Sequence, residues 1–119
     1  MGDVTSDLAG PRIEQFSGPG YRGCRLSGEI DFTSAGPVQS TLLGMILPGG
    51  GNVVADLSGI TFVDSSGLGV LVQAHRTARD RENRLVVVAS PPVRKLLRLT
   101  GLDTVLETYD QLSEAEAAL

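Results

Sequence analysis

The sequence predicts an α/β domain, with a mixed sheet of four or five strands and about four helices packed on it. Three observations lead there. After an initial pair of strands, short apolar runs alternate with segments of helical period. Two of the runs, NVVADL (52–57) and RLVVVA (84–89), are continuously apolar apart from a few residues, as strands buried on both faces of a parallel sheet are. The opening strands are joined only by Ser17-Gly-Pro-Gly20, which is too short for a crossover and so makes an antiparallel hairpin.

The elements follow in order. Residues 1–10 are small and polar and read as a flexible tail, leaving 11–119 as one domain. Arg12–Phe16 alternates weakly and Tyr21–Ile30 forms the second strand. Val38, Thr41, Leu42, Met45 and Ile46 recur with helical spacing. Pro37 belongs in a first turn, so that helix starts near residue 35 or 36 and ends at Pro48-Gly-Gly-Gly51. Asn52–Leu57 is a strand, Ser58-Gly59 a turn, and Ile60–Val63 is extended. A second helix runs from Ser66 with Leu68, Leu71, Val72, His75 and Ala78 on one face. After the strand to Ala89, Ser90 is placed to cap a helix that begins with Pro91-Pro92 and ends before Gly101. Thr104–Leu106 reads as a short edge strand, and Asp110 as the cap of a last helix with Leu112, Ala115 and Leu119 on its apolar face.

Composition narrows the function classes. A chain of 119 residues buries roughly two-thirds of its unfolded surface and needs no metal or disulfide to hold together. Hydrophobic residues are 41% and charged residues 20%, ordinary for a globular domain. The net charge of -4 and an aromatic content of 4% argue against nucleic acid, which needs cationic surface and stacking platforms. Cys24 is the only cysteine; it excludes an internal disulfide and reads as a packing residue in a strand. No apolar run approaches the ~18 residues of a membrane span, and the first ten residues lack the basic start and apolar stretch of a signal peptide. Together these predict a cytoplasmic protein without membrane contact.

The informative stretch is ITFVDSSGLGVLV (60–72), an apolar run interrupted by an acid, two hydroxyls and a glycine. Val63 ends a strand and Leu68 opens a helical stripe, so Asp64, Ser65, Ser66 and Gly67 sit where backbone N–H groups lack helical partners. Asp64 or Ser65 can supply a capping oxygen. A cap needs one such residue, and here two serines follow the acid. Gly67 and Gly69 in the first turns cost helix stability, up to about 1 kcal/mol each relative to alanine, and leave room for another molecule to approach. A catalytic serine fits poorly. DSSGL is not a Gly-x-Ser-x-Gly elbow, and the single histidine, His75, lies nine residues along the same helix, roughly 13 Å away. Asp31, Asp56 and Asp64 could meet at strand ends, but no metal-ligand spacing supports them. The triple glycine lacks the Gly-Lys-Ser/Thr of a phosphate loop, and Gly67-Leu-Gly69 lacks the third glycine of a dinucleotide site. No cofactor is expected.

VADLSGITFVDSSGLGV (54–70) closely resembles the signature of STAS domains, in particular bacterial anti-sigma factor antagonists. LSGEID (26–31) resembles their second-strand motif and LLRLTGL (96–102) their later helix and the turn after it, so the resemblance covers nearly the whole chain. It implies a STAS-like fold and a regulator that is not an enzyme. It implies that the second serine of the motif, Ser66, is the phosphorylation site. Unmodified members bind an anti-sigma factor that is itself a GHKL-type serine kinase, and so release the sigma factor; phosphorylation ends the binding and a PP2C-type phosphatase resets it. On this reading Asp64 holds the loop, Ser65 caps the helix, Gly67, Leu68 and Gly69 form the surface the kinase approaches, and Asp31 shapes the adjoining surface. The alternative within the family is a scaffold or regulatory subunit of a stress-sensing complex or lipid transporter, with no phosphorylation switch.

Overall fold

A computed structural model describes residues 10–46 and 51–119. The expected tail, except Gly10, and most of the Pro48–Gly51 terminator lie outside the described residues. The elements are β1 (Arg12–Gly18), β2 (Tyr21–Ile30), α1 (Ala35–Met45), β3 (Asn52–Val63), α2 (Ser65–Asp80), β4 (Leu85–Ala89), α3 (Pro91–Thr100), a 3₁₀ turn at Leu102–Thr104, β5 (Glu107–Tyr109) and α4 (Leu112–Ala118). The five strands lie in sequence order; β1 is antiparallel to β2 and the rest are parallel. The mixed sheet with four helices is the fold class the pattern predicts. Among the described residues no helix is long and apolar enough to cross a membrane.

Strand alternation divides the core. Val53, Ala55, Leu57 and Val87 face one side, where Val38 and Leu42 of α1, Leu68 and Leu71 of α2, and Val93 and Leu97 of α3 cover them. Val54, Val86 and Val88 face the other, under Ala115 and Leu112 of α4. Every residue of β4 is buried, which accounts for its unbroken LVVVA. Cys24 lies in this core at 0% exposure, and burial pushes its thiol up to about 11; it is a packing residue. His75 is half-buried on α2, whose buried stripe is Gly67, Leu68, Val70, Leu71, Ala74 and Ala78. Helix α1 has no basic residue in its last turn, and guanidinium groups from elsewhere serve its carbonyls: Arg22 donates to Met45 O and Arg81 to Ile46 O, each at 2.5 Å.

Four local expectations are corrected. Ser58-Gly59 does not turn the chain. Between the pairs Arg25↔Asp56 and Glu29↔Phe62, β3 carries two extra residues, so the strand bulges and continues. Asp56 stabilises the bulge, accepting from Ser58 N (3.0 Å) and Ser58 Oγ (2.7 Å) while its other oxygen meets Arg25 Nε at 3.3 Å. Gly59 is required there because a Cβ would stand 2.9 Å from Ser27 Cβ. The edge strand is Glu107–Tyr109, not Thr104–Leu106: Gly101 takes a left-handed φ of 75°, the chain winds through the 3₁₀ turn, and Leu106 drops into the core instead of pairing. The last helix is capped by Gln111, whose N–H donates to Glu114 Oε1 at 3.1 Å; Asp110 pairs with Arg94 instead. Ser90 occupies the N-cap of α3, but its hydroxyl donates to Ile60 O at 2.6 Å and caps nothing.

Candidate functional site

The site lies where β2 and β3 end side by side. Their last pair is Ile30↔Val63, and Asp64 N then donates to Ile30 O at 3.2 Å, tying the two exits together. From this edge the chain enters α1 through Asp31–Ser34 and α2 through Asp64. The bulged β3 reaches the same edge as β2 despite its extra residues. Asp31 and Asp64, 33 positions apart in sequence, therefore become neighbours in space. Asp56 does not join them; it stays with Arg25 and Ser58.

Asp64 is the N-cap of α2. Its Oδ1 accepts from Ser66 N (2.9 Å) and Gly67 N (3.3 Å), and its carbonyl accepts from Leu68 N (3.2 Å). Ser65, expected as the cap, is instead the first helical residue. The reason is geometric: Asp64 is held extended (φ -109°, ψ -173°) by its bond to β2, and only a residue outside the helix can turn its side chain back onto the first N–H groups. With Asp64 in that role, both serine hydroxyls are released. Among the described residues neither Ser65 nor Ser66 uses its hydroxyl in a hydrogen bond, whereas those of Ser34, Ser58 and Ser90 are all engaged. Ser65 is exposed and Ser66 half-buried.

The two glycines have different causes. Gly69 is exposed and a Cβ there would meet nothing within 4 Å, so its surface is bare, as expected. Gly67 is buried. A Cβ would lie 2.5 Å from Val63 Cγ2 and 3.1 Å from Ile30 Cγ2, so this glycine seats the helix on the strand exits and does not open a path to a partner. Leu68 likewise packs inward at 4% exposure.

Asp31 turns its carboxylate into its own loop, accepting from Thr33 Oγ1 (2.5 Å) and Thr33 N (2.9 Å). The Thr33 hydroxyl, with the Thr33 and Ser34 N–H and hydroxyl bonds behind it, holds this carboxyl below the usual range. The bonds order the loop that carries Phe32. This ring is 78% exposed, and Phe62, on the neighbouring strand end, is 48% exposed. Sequence reasoning missed both aromatics. The available signal was a phenylalanine directly after a loop acid, and another near the end of a strand, two residues before Asp64. On the other side of the mouth a groove of about 700 Å³ runs from Ser65 and Gly69 past Val72 and Arg76 to Thr100 and Leu102.

Fold and site together define a small α/β domain whose distinctive feature is a pair of uncommitted hydroxyls at a helix mouth, flanked by exposed aromatics. The family model described as Mlab, STAS domain, matches residues 23–108, and the chain belongs to the STAS domain family. Within it, the anti-sigma-B factor antagonist of Listeria monocytogenes is 34% identical over 83 residues, covering 69% of this chain and 73% of the relative. An anti-sigma factor antagonist from Mycobacterium paratuberculosis superposes with a TM-score of 0.82 at 25% identity, over 92% of this chain and 94% of that one. The Bacillus cell fate determinant SpoIIAA in its phosphorylated form superposes with a TM-score of 0.67 at 20% identity, over 92% and 99% of the two chains, a likeness of fold.

Proposed function

We propose that this protein is an anti-sigma factor antagonist that works by partner switching. Its unmodified form binds an anti-sigma factor that is a GHKL-type serine kinase, and the sigma factor is released. Transfer of phosphate from ATP to Ser66 Oγ ends the binding, and a PP2C-type phosphatase restores the hydroxyl. The observation that carries this reading is the pair of unbonded hydroxyls at the mouth of α2, freed because Asp64 alone does the capping. The names of the relatives and the existence of a phosphorylated SpoIIAA with this fold support it.

The physics of such a switch is local. Phosphate adds about -1.5 to -2 charges at neutral pH. At a helix N-terminus this is tolerated, with a dipole contribution of ~0.3–1 kcal/mol, so the fold survives modification. A partner surface complementary to a neutral hydroxyl then faces an unpaired dianion beside the Asp64 carboxylate. That mismatch costs about 2–5 kcal/mol of binding, roughly 30- to 4000-fold.

The test is incubation with ATP and the cognate kinase, location of the phosphate by mass spectrometry, and measurement of partner affinity for both forms. Ser66→Ala should take up no phosphate and bind permanently. Phosphate that persists in Ser66→Ala and vanishes in Ser65→Ala would move the site by one residue. Equal affinity of the modified and unmodified forms would end the proposal. One observation favours a second reading, the scaffold or regulatory subunit without a switch: the matching family model is described by Mlab and not by an antagonist. Recovery of a stable complex whose affinity Ser66→Asp leaves unchanged would select it.

A further inference from the structure

We propose that the groove between α3 and the β5–α4 connection binds a small phosphomonoester dianion carried on an apolar body. Helix α3 turns Val93 and Leu97 into the core and leaves Arg94, Lys95, Arg98 and Leu99 along its outer flank. With Ala89, Pro91 and Asp110 these residues line a groove of about 630 Å³, the size of ordinary small-molecule sites. None of them lines the groove beside Ser65, so the site is separate from the mouth of α2. It opens beyond the carboxyl ends of β4 and β5, where open α/β sheets hold ligands.

The charges specify the ligand. Three cations fall within five residues of a chain whose net charge is -4. Arg94 is committed: its Nε meets Asp110 Oδ1 at 2.6 Å and its Nη1 donates to Thr108 Oγ1 at 3.3 Å. Lys95 and Arg98 make no hydrogen bond or ion pair among the described residues. One arginine is thus neutralised by one aspartate, and two cations remain for a dianion, a planar fork and a point charge. Ala89, Pro91 and Leu99 supply an apolar wall, and Leu99 stands 73% exposed, ready to be covered. The helix start offers fewer main-chain donors than usual. Pro91 and Pro92 open the helix without N–H groups, and the Ser90 hydroxyl is turned away to Ile60 O. Binding therefore depends on Lys95 and Arg98, and it does not rest on the antagonist reading.

The experiment titrates the full chain, followed by amide NMR, with phenyl phosphate, with inorganic phosphate, and with phosphatidylcholine vesicles containing phosphatidic acid. Phenyl phosphate should give saturable shifts at Ala89, Lys95, Arg98 and Leu99 while Ser66 stays still. Inorganic phosphate should bind on the order of tenfold more weakly, because the apolar wall is unused. The double variant K95A/R98A, with an otherwise unchanged amide spectrum, should weaken phenyl phosphate on the order of tenfold or more. Asp110→Asn removes a repelling charge and frees Arg94, and should tighten binding about threefold, which mere structural damage would not do. Vesicle capture that K95A/R98A abolishes assigns the ligand to a lipid headgroup; phenyl phosphate binding without capture assigns it to a soluble phosphomonoester. Shifts that do not saturate, that survive K95A/R98A, or that centre on Ser65–Gly69 overturn the site.

Discussion

Two strand-to-helix junctions stand at the carboxyl ends of neighbouring parallel strands, β3 into α2 and β4 into α3, and the chain treats them in opposite ways. At the first, Asp64 alone satisfies the orphan N–H groups, and the two serines behind it keep their hydroxyls free. At the second, Ser90 is 4% exposed and spends its hydroxyl on Ile60 O, and two prolines remove two of the N–H groups that would need a partner. One junction leaves two hydroxyls without a hydrogen bond; the other is sealed and instead displays a cationic flank one turn later. The lesson is that a serine before or within the first turn of a helix says little by itself. Its use is decided by whether a neighbour has already satisfied the backbone.

The comparison can be broken, starting with the largest stability effect. Gly67→Ala forces a Cβ to within 2.5 Å of Val63 Cγ2 and should destabilise the fold by about 1–3 kcal/mol in urea denaturation, while Gly69→Ala, in open space, should stabilise it by up to about 1 kcal/mol. If both glycines respond alike, Gly67 does not seat α2 on the strand exits. Next, Ser90→Ala strands a buried carbonyl and should cost about 1–2 kcal/mol; Ser66→Ala, with no bond to lose, should stay within roughly 0.5 kcal/mol of the parent. A comparable loss in both would mean that the Ser66 hydroxyl is committed after all. Asp64→Ala should cost ~1 kcal/mol, and Asp64→Asn, which keeps a capping oxygen, much less. If alanine at 64 were silent, the cap would lie elsewhere and the reason for two free hydroxyls would fail.

The smallest effect concerns pH. The Thr33 bonds hold the Asp31 carboxyl below its ordinary value in the folded state. Its contribution is therefore complete above that ordinary value, near pH 4, and is lost as pH falls through the lower folded value. Thermal melts of Asp31→Asn between pH 2 and pH 6 should show a shallower acid slope than the parent. An identical slope would remove Asp31 from the ordering of the Phe32 loop.

Much of this was legible in the chain. The continuous apolar runs of β3 and β4 announce burial on both faces, and the interrupted run at 64–67 announces a strand-to-helix junction with spare hydroxyls. What was misread has a common cause. Thr104–Leu106 has the composition of a strand, yet Leu106 is drawn into the core by the turn after Gly101, and the more polar Glu107–Tyr109 takes the edge. Asp110 has the composition of a cap, yet Arg94 from another helix claims it. Ser58-Gly59 has the composition of a turn, yet pairing with β2 absorbs it as a bulge. In each case local propensity was sound and a partner distant in sequence outweighed it.

By itself the sequence determined the alternation of elements, the identity of the core and the position of the junction at Asp64–Gly67. These depend on periodicity and on hydrogen-bonding capacity, which are properties of neighbouring residues. Only the tertiary structure decided that Asp64 caps while Ser65 and Ser66 stay free, that Gly67 is a packing glycine, and that Phe32 and Phe62 stand beside the same mouth. Those outcomes depend on the alignment of two strand ends, Ile30 against Val63, separated by more than thirty residues of chain, and on the close contact of α2 with both. A contact between distant segments has no signature in either segment alone, because its energy belongs to the pair.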